Sequence, residues 1–306
     1  MAAIDVTPSS LPLAIADWSH VARAVFRIEQ SYSYAYSEPV RHLHHRLRVV
    51  PPDVHGDQHL LVHDLRTCGP VDESSVVWSE DPFGNRVCTI EAPQVDDCLK
   101  FDVQFLVERC AAEGAPGARS IESLSDGDLL KYLESTPLTE PSLVLARVAA
   151  RIEASSAWPR GRAYRAYHWA AAALTYRPGE TDVATIAAEA MALGAGVCQD
   201  FTHVLLTVLR LMGIPARYVS GHLLGDGAPH AWVEALFPDE QVPGATSIVA
   251  YDPTNRREPG LTYVTVAVGR DYADVTPTSG WFVGPAKSRF EARQQVELVE
   301  VGYRSS

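Results

Sequence analysis

The chain reads as an α+β protein in two parts, an N-terminal antiparallel β-sandwich followed by a domain in which helices precede an antiparallel sheet. Three observations carry this reading. Residues 21–112 contain several short runs that alternate apolar and polar residues, the period of half-buried strands. Residues 141–212 switch to helix formers between Pro and Gly boundaries, and Phe201–Met212 shows apolar spacings of three and four, the period of a helix. After the stop signal Gly213-Ile214-Pro215 the alternation returns. With 306 residues, 46% of them hydrophobic and 21% charged, the chain has ample material for one large or two ordinary cores.

In order, residues 1–20 are small and polar and read as a loose arm. From Arg23 the pattern is β: Phe26, Ile28, Tyr32, Tyr34 and Tyr36 share a parity and would line one face of a strand. Further strands are expected at Leu43–Val50, His59–Leu65, Ser75–Ser79, Arg86–Ile90 and Leu99–Val107. The loop Glu80-Asp81-Pro82-Phe83-Gly84-Asn85 has hairpin chemistry, since Pro presets φ while Gly and Asn tolerate positive φ. Short strands at regular spacing suggest a sandwich. His42, His44 and His45 cluster within one strand, where neighbours point to opposite faces. With no Cys or carboxylate at ligand spacing, they read as a packed or solvated strand rather than a metal site.

Residues 113–140 form a connecting region. Ala111–Gly117 is small and rich in Gly and Pro, and the acidic stretch Glu122–Glu134 is expected to be a solvated face. A second domain, residues 141–306, opens with helices over Pro141–Ser155, Arg162–Tyr176 and Val183–Leu193. Thr181 would cap the third and Gly194 would follow it. The aromatics Tyr164, Tyr167, His168 and Trp169 read as packing. A fourth helix carries Phe201, Val204, Leu205, Val208, Leu211 and Met212 inward, and Cys198 sits at its tip. A thiol in a helix's first turn meets free N–H groups and the positive end of the dipole, which favour the thiolate. Everything after this helix reads as strands.

The net charge of −12 argues against nucleic acid and anionic membrane surfaces as partners. Five scattered cysteines without a CxxC pair argue against zinc and against a disulfide framework. The N-terminus lacks a basic-then-apolar leader and no run of 18 apolar residues occurs, so a cytoplasmic location is expected.

Downstream of Cys198, the strand-like run Ala216–Leu224 ends in the loop Gly225-Asp226-Gly227. His230 then opens an alternating run through Ala235, and Ser247–Tyr251 delivers Asp252. Cys198, His230 and Asp252 have the chemical roles of a thiol triad: nucleophile, general acid–base, and carboxylate that fixes the imidazole tautomer.

Gly-Val-Cys-Gln-Asp-Phe, Gly-Ile-Pro-Ala-Arg-Tyr-Val-Ser-Gly, His-Ala-Trp-Val-Glu and Asp-Pro-Thr-Asn, in this order, resemble the transglutaminase-like superfamily, most closely its bacterial cysteine-protease-like branch. The resemblance covers roughly residues 140–285. It implies a papain-like or transglutaminase-like domain, with Cys198, His230 and Asp252 as its catalytic residues. Val268–Val275 is similar to a family segment after the triad, in which Arg270 and Asp271 would give structural support. Tyr34, Glu38-Pro39-Val40 and Asp81-Pro82-Phe83-Gly84-Asn85 are similar to the β-rich N-terminal domain of the same branch. One departure is the long loop after Phe237, spanning residues 237–246. It is expected to alter substrate access, and Ser247–Tyr251 takes the place of a Trp-containing approach to Asp252.

The resemblance implies acyl transfer through an acyl-enzyme. Cys198 would attack a peptide, Gln-like or related acyl carbonyl, with its backbone N–H in the oxyanion hole. The acyl group would pass to water, as in an amidase or protease, or to an amine, as in a transferase. The alternatives are a non-catalytic peptide-binding or scaffold module on the same fold, and an amide-forming acyltransferase that takes a thioester donor. The expected partner is a peptide, a protein or a small acyl substrate. No cofactor and no metal are expected, since no EF-hand-like carboxylate spacing occurs.

Overall fold

The computed structural model describes residues 17–71, 75–111, 120–225 and 228–304. Its first part contains β1 (Val21–Tyr36), β2 (Val40–Leu47), β3 (Val54–His55), β4 (Gln58–Cys68), β5 (Val76–Glu80), β6 (Arg86–Val95) and β7 (Cys98–Cys110). The Asp81–Asn85 turn joins β5 to β6 as a hairpin. Asp81 accepts from the Phe83 and Asn85 N–H groups at 2.9 and 3.1 Å, and Gly84 takes φ 80°.

The second part runs β8 (Ser120–Glu122), α1 (Asp126–Lys131), a 3-10 turn (Pro137–Thr139), α2 (Leu143–Ala154), α3 (Pro159–Ala173), β9 (Thr175–Tyr176), α4 (Ala187–Leu193), β10 (Ala195–Gly196) and α5 (Cys198–Leu211). It continues through β11 (Ala216–Leu223), β12 (His230–Pro238), β13 (Thr246–Tyr251), β14 (Tyr263–Gly269), α6 (Tyr272–Val275), β15 (Thr278–Val283) and β16 (Ser288–Tyr303). Among the described residues no helix is long and apolar enough to cross a membrane.

Two sheets, in the orders β16-β1-β7-β4-β3 and β15-β2-β6-β5, enclose a core that includes Phe26, Ile28, Leu43, Ile90, Phe101 and Phe105. The third sheet has the order β14-β11-β12-β13-β8 and packs against α5, with α2, α3 and α4 around it. Every residue of α5 from Gln199 to Arg210 is buried. Val204, Leu205, Leu206, Val208 and Leu209 alone remove about 10 kcal/mol of gross hydrophobic free energy from water, so the helix behind Cys198 is fixed in place.

The structure corrects the domain division. A second domain running from 141 to 306 does not hold, because residues 278–303 return to the sandwich. There β15 pairs with β2, and β16 pairs with β1 from Val21↔Tyr303 to Tyr36↔Ser288. The connecting region is likewise partly structural. Glu122 on β8 is not on a solvated face, since it holds the buried Arg217 guanidinium at 2.8 and 2.9 Å while Glu234 holds it at 2.7 Å. The expected loose arm and the small-residue hinge lie mostly outside the described residues, as do Asp226 and Gly227.

The two parts meet along β14, the edge strand of the third sheet. Gln58 takes the Thr265 backbone in a reciprocal pair of hydrogen bonds, at 2.8 Å to its N–H and 2.7 Å from its carbonyl. Asn85 does the same for Val268, both at 2.7 Å. Two side-chain amides thus stand in for a neighbouring strand on an edge that would otherwise carry unpaired donors and acceptors.

Candidate active site

Cys198 owes its position to the turn before it. Gly194 ends α4 in the left-handed conformation at φ 64°, and β10 pairs with β9. Val197 is extended, and α5 begins at Cys198. Three residues into the helix, Asp200 reaches back to accept from the Val197 N–H at 2.7 Å and from the Thr181 hydroxyl at 2.7 Å. A Cβ at residue 196 would lie 2.6 Å from the Asp200 Cβ, so the cap closes only over glycine. Thr181, expected to cap α4, is thereby recruited to the neighbouring helix. α4 itself starts later than expected, at Ala187, because Asp182–Thr185 form a turn and Glu189 accepts from the Ile186 N–H. Cys198 is half-buried against the helical core, and its own N–H and that of Gln199 belong to the helical turn that has no internal acceptors.

His230 opens β12 and Asp252 follows β13, so the antiparallel pairing of these strands brings both to one end of the sheet. The His230 Nε2–H donates to Asp252 Oδ2 at 2.7 Å. Nδ1 is the nitrogen left for the thiol, and the Cys198 side chain lies close enough to act on the imidazole's charge. Burial alone would lower the His230 pKa. The hydrogen bond to Asp252, the Cys198 side chain and the negative charge beside the ring outweigh it and push the imidazole up to about 10. Burial would likewise raise Asp252, but the hydrogen bond and charge of His230, the Tyr263 hydroxyl and the Asn255 N–H hold it below the usual carboxylate range.

Asp252 is fully buried and accepts five hydrogen bonds. Oδ1 takes the Thr254 and Asn255 N–H groups, both at 3.0 Å. Oδ2 takes His230, the Tyr263 hydroxyl at 2.6 Å and Asn255 Nδ2 at 2.8 Å. Arg257 Nε donates in turn to the Tyr263 oxygen at 2.7 Å. The Trp232 ring lies beside His230, centroids 6.2 Å apart, and meets Tyr263 edge-on at 5.2 Å. Room for this packing comes from Gly221, where a Cβ would stand 2.1 Å from the Val264 carbonyl oxygen and 2.7 Å from the Trp232 ring.

Tyr263 and Arg257 are absent from the sequence reading, and Asn255 and Trp232 enter it only within quoted motifs. Tyr263 could not be found by spacing, because it reaches Asp252 from β14, across β11 and β12, past a register shift between Ser220 and Gly221. The long loop after Phe237 is also placed differently from expectation. It joins the ends of β12 and β13 opposite His230 and Asp252, so it does not flank them, and it closes as a turn by Asp239 N–H to Ala245 O at 2.9 Å. Arg270 binds Asp274 at 2.9 Å and Glu134 at 3.0 Å, and Asp271 caps α6 through the Ala273 N–H at 2.8 Å, both away from His230 and Asp252. Among the described residues no three His, Cys, Asp or Glu side chains are grouped to hold a metal ion. All five cysteines are free.

Comparison with known proteins gives the fold a family. Residues 26–108 match the bacterial transglutaminase-like N-terminal region and residues 146–243 match the transglutaminase-like superfamily; the second stretch includes Cys198 and His230 and ends before Asp252. An uncharacterized protein of Mycobacterium leprae is 40% identical over 164 residues, which is 50% of this chain and 56% of that protein. An uncharacterized protein of Mycobacterium bovis is 39% identical over 117 residues, 35% of this chain and 37% of its own length. The chain thus spans about half or less of the length of these curated relatives. The crystal structure of a "Putative Cysteine Protease" from Cytophaga hutchinsonii superposes with a TM-score of 0.73 at 21% identity, covering 92% of this chain and 93% of that one, which is a likeness of fold. With both of its parts matched in order, the chain belongs to the transglutaminase-like superfamily, in the bacterial branch that carries its own N-terminal region.

Proposed function

We propose that the protein is a cysteine-nucleophile acyl-transfer enzyme. The observation that carries this reading is the 2.7 Å hydrogen bond from His230 to a fully buried Asp252, on an imidazole whose other side meets the thiol at a helix tip. His230 takes the Cys198 proton, and the sulfur attacks an acyl carbonyl. The oxygen of the tetrahedral intermediate then lies near the Cys198 N–H at the positive end of α5. The protonated imidazole gives its proton to the leaving group, and an acyl thioester on Cys198 remains. His230 next deprotonates the incoming nucleophile, which displaces the sulfur. Asp252 stays ionised throughout and holds the proton-bearing Nε2 away from the thiol.

Water as second nucleophile makes the enzyme an amidase or protease, and an amine makes it a transferase. The test is to trap the acyl-enzyme from a library of peptides and thioesters and read the adduct by mass spectrometry. An adduct on the Cys198 peptide, absent from Cys198→Ala, is expected, and its mass names the donor. Turnover retained by Cys198→Ala would reject the mechanism.

A further inference from the structure

Of the 26 basic and 38 acidic residues in the chain, six arginines and a single glutamate fall between residues 143 and 177, the stretch that forms α2, α3 and β9. This is a basic stretch of an acidic chain, it contains no lysine, and a carboxylate from outside the stretch, Glu258, acts on Tyr167 and Tyr251. Arg147 and Arg151 stand one turn apart on the exposed side of α2, opposite its buried Leu145, Val148, Ala149 and Ile152. Arg165 is exposed on α3, and Arg162 binds the lone carboxylate, Glu153, at 3.2 Å, tying the two helices together. Large apolar side chains share the surface: Leu143 is 79% exposed, Trp158 59% and Tyr164 49%. Arginine, tryptophan and tyrosine set among exposed aliphatics are the composition of a binding surface rather than of a merely solvated one, where lysine and glutamate dominate.

The surface leads to the thiol. Tyr164 meets His168 edge-on at 4.4 Å, and both rings border Tyr167. Tyr167 stacks at 5.1 Å on Tyr251, the residue before Asp252. At the other end of α3, β9 pairs with β10, and the Arg177 N–H donates to the Gly196 carbonyl at 3.0 Å, two residues from Cys198. Arg177, whose side chain is exposed, thus carries the run of arginines on to the backbone that leads into Cys198.

We infer that the outer face of α2 and α3 docks an acidic polypeptide that presents the acyl group to Cys198. The inference rests on the acyl-transfer reading for what is presented, and on charge complementarity and continuity with the site for what is bound. Opposite charge on the partner would speed encounter and orient it, while the aromatic and aliphatic side chains supply contact area.

The binding test uses the full-length Cys198→Ala protein and a fluorescein-labelled peptide of four Glu-Asp-Leu-Ala repeats, followed by anisotropy. A Gln-Asn-Leu-Ala peptide and an oligothymidylate of equal charge run in parallel. The acidic peptide is expected to bind about tenfold or more tighter than the neutral one at low salt, and to lose that margin at high salt or in Arg147→Glu/Arg151→Glu/Arg165→Glu. A control reversal on the sandwich, Arg66→Glu/Arg293→Glu, should leave binding unchanged. If the triple reversal does not fold, the salt titration of the unreversed protein and the Arg→Gln triple carry the same comparison. Equal affinity for both peptides, tighter binding of the oligonucleotide, or self-association abolished by the triple reversal would each overturn the proposal, the last by making a second copy the occupant.

A second arm places one acyl donor on the acidic and on the neutral peptide, with active protein. A roughly tenfold lower KM for the acidic donor at unchanged kcat, lost in the triple reversal, supports presentation. Turnover without that preference rejects the docking face and leaves the acyl chemistry standing. Arginine-dependent binding without any turnover rejects the acyl chemistry and leaves the docking face standing.

Discussion

Asp252→Asn changes one atom of the site and should nearly silence it. The five groups around the carboxylate are all donors: two backbone N–H groups on Oδ1, and His230, Tyr263 and the Asn255 amide on Oδ2. An asparagine can turn its oxygen toward only one set. With the oxygen kept on the backbone side, the new NH2 confronts three donors, and His230 relieves the clash only by moving its proton from Nε2 to Nδ1. That proton then faces the sulfur, and the imidazole can no longer accept from the thiol. A wrong-tautomer lesion of this kind costs on the order of 10⁴ in rate in a Ser-His-Asp enzyme, and a loss of about 10³–10⁴ is expected here. The displaced donors should cost about 1–3 kcal/mol in stability for each one left unsatisfied. Single-turnover acylation followed by mass spectrometry measures the first effect and denaturant unfolding the second. The imidazole C–H resonances of His230 should also titrate well below the value near 10 that the charged carboxylate sustains. Acylation within about tenfold of the parent protein would refute the tautomer argument.

Three further outcomes follow from the same geometry. Iodoacetamide should alkylate Cys198 before Cys88, Cys98 and Cys110 near neutral pH, since burial pushes Cys88 up to about 12, and burial with nearby carboxylates raises Cys98 and Cys110; equal labelling of these four in a peptide map would count against an activated thiol. The folded protein holds the His230 proton more tightly than the unfolded chain, whose imidazole titrates near 6.5, so this stabilisation is complete below about pH 6.5 and fades as pH climbs toward about 10. The denaturation midpoint should fall across that window, more steeply in the parent than in Asp252→Asn, and parallel profiles would contradict the linkage. Gly221→Ala should destabilise by about 2–4 kcal/mol, because the new Cβ would lie 2.1 Å from a backbone oxygen in the middle of a sheet; a change under about 0.5 kcal/mol in urea unfolding would show that β11 and β14 yield easily.

The site was legible where its chemistry is local. Cys198 announces itself by a glycine turn that hands over to a helix with one apolar face, all between residues 194 and 212. His230 and Asp252 sit at the ends of strands whose alternation is plain. What surrounds them was not legible, because it depends on pairing between distant strands. Nothing in the run around Tyr263 says that its hydroxyl will meet Asp252, since that meeting is set by a register two strands away. The same limit governs the fold. The alternation in β1 marks a strand but not its partner, and the partner turned out to be β16 at the other end of the chain. The arginines of α2 and α3 were in view all along. An overall charge of −12 hid them, because a sum over the chain carries no information about where the minority sign collects.

The pairing of β1 with β16 has a consequence for the making of the protein. Arg23 and its partner Glu300 are 277 residues apart. A ribosome adding about 5–20 residues per second separates their appearance by roughly 14–55 s. Once β7 has been made β1 can pair with it, yet the other edge of β1 stays open for the rest of the interval, and it is a sixteen-residue edge rich in tyrosine. The helices and the third sheet emerge in the meantime. A nascent chain stalled before β16 would thus hold Cys198, His230 and Asp252 while offering a long unpaired strand to its neighbours on the same message.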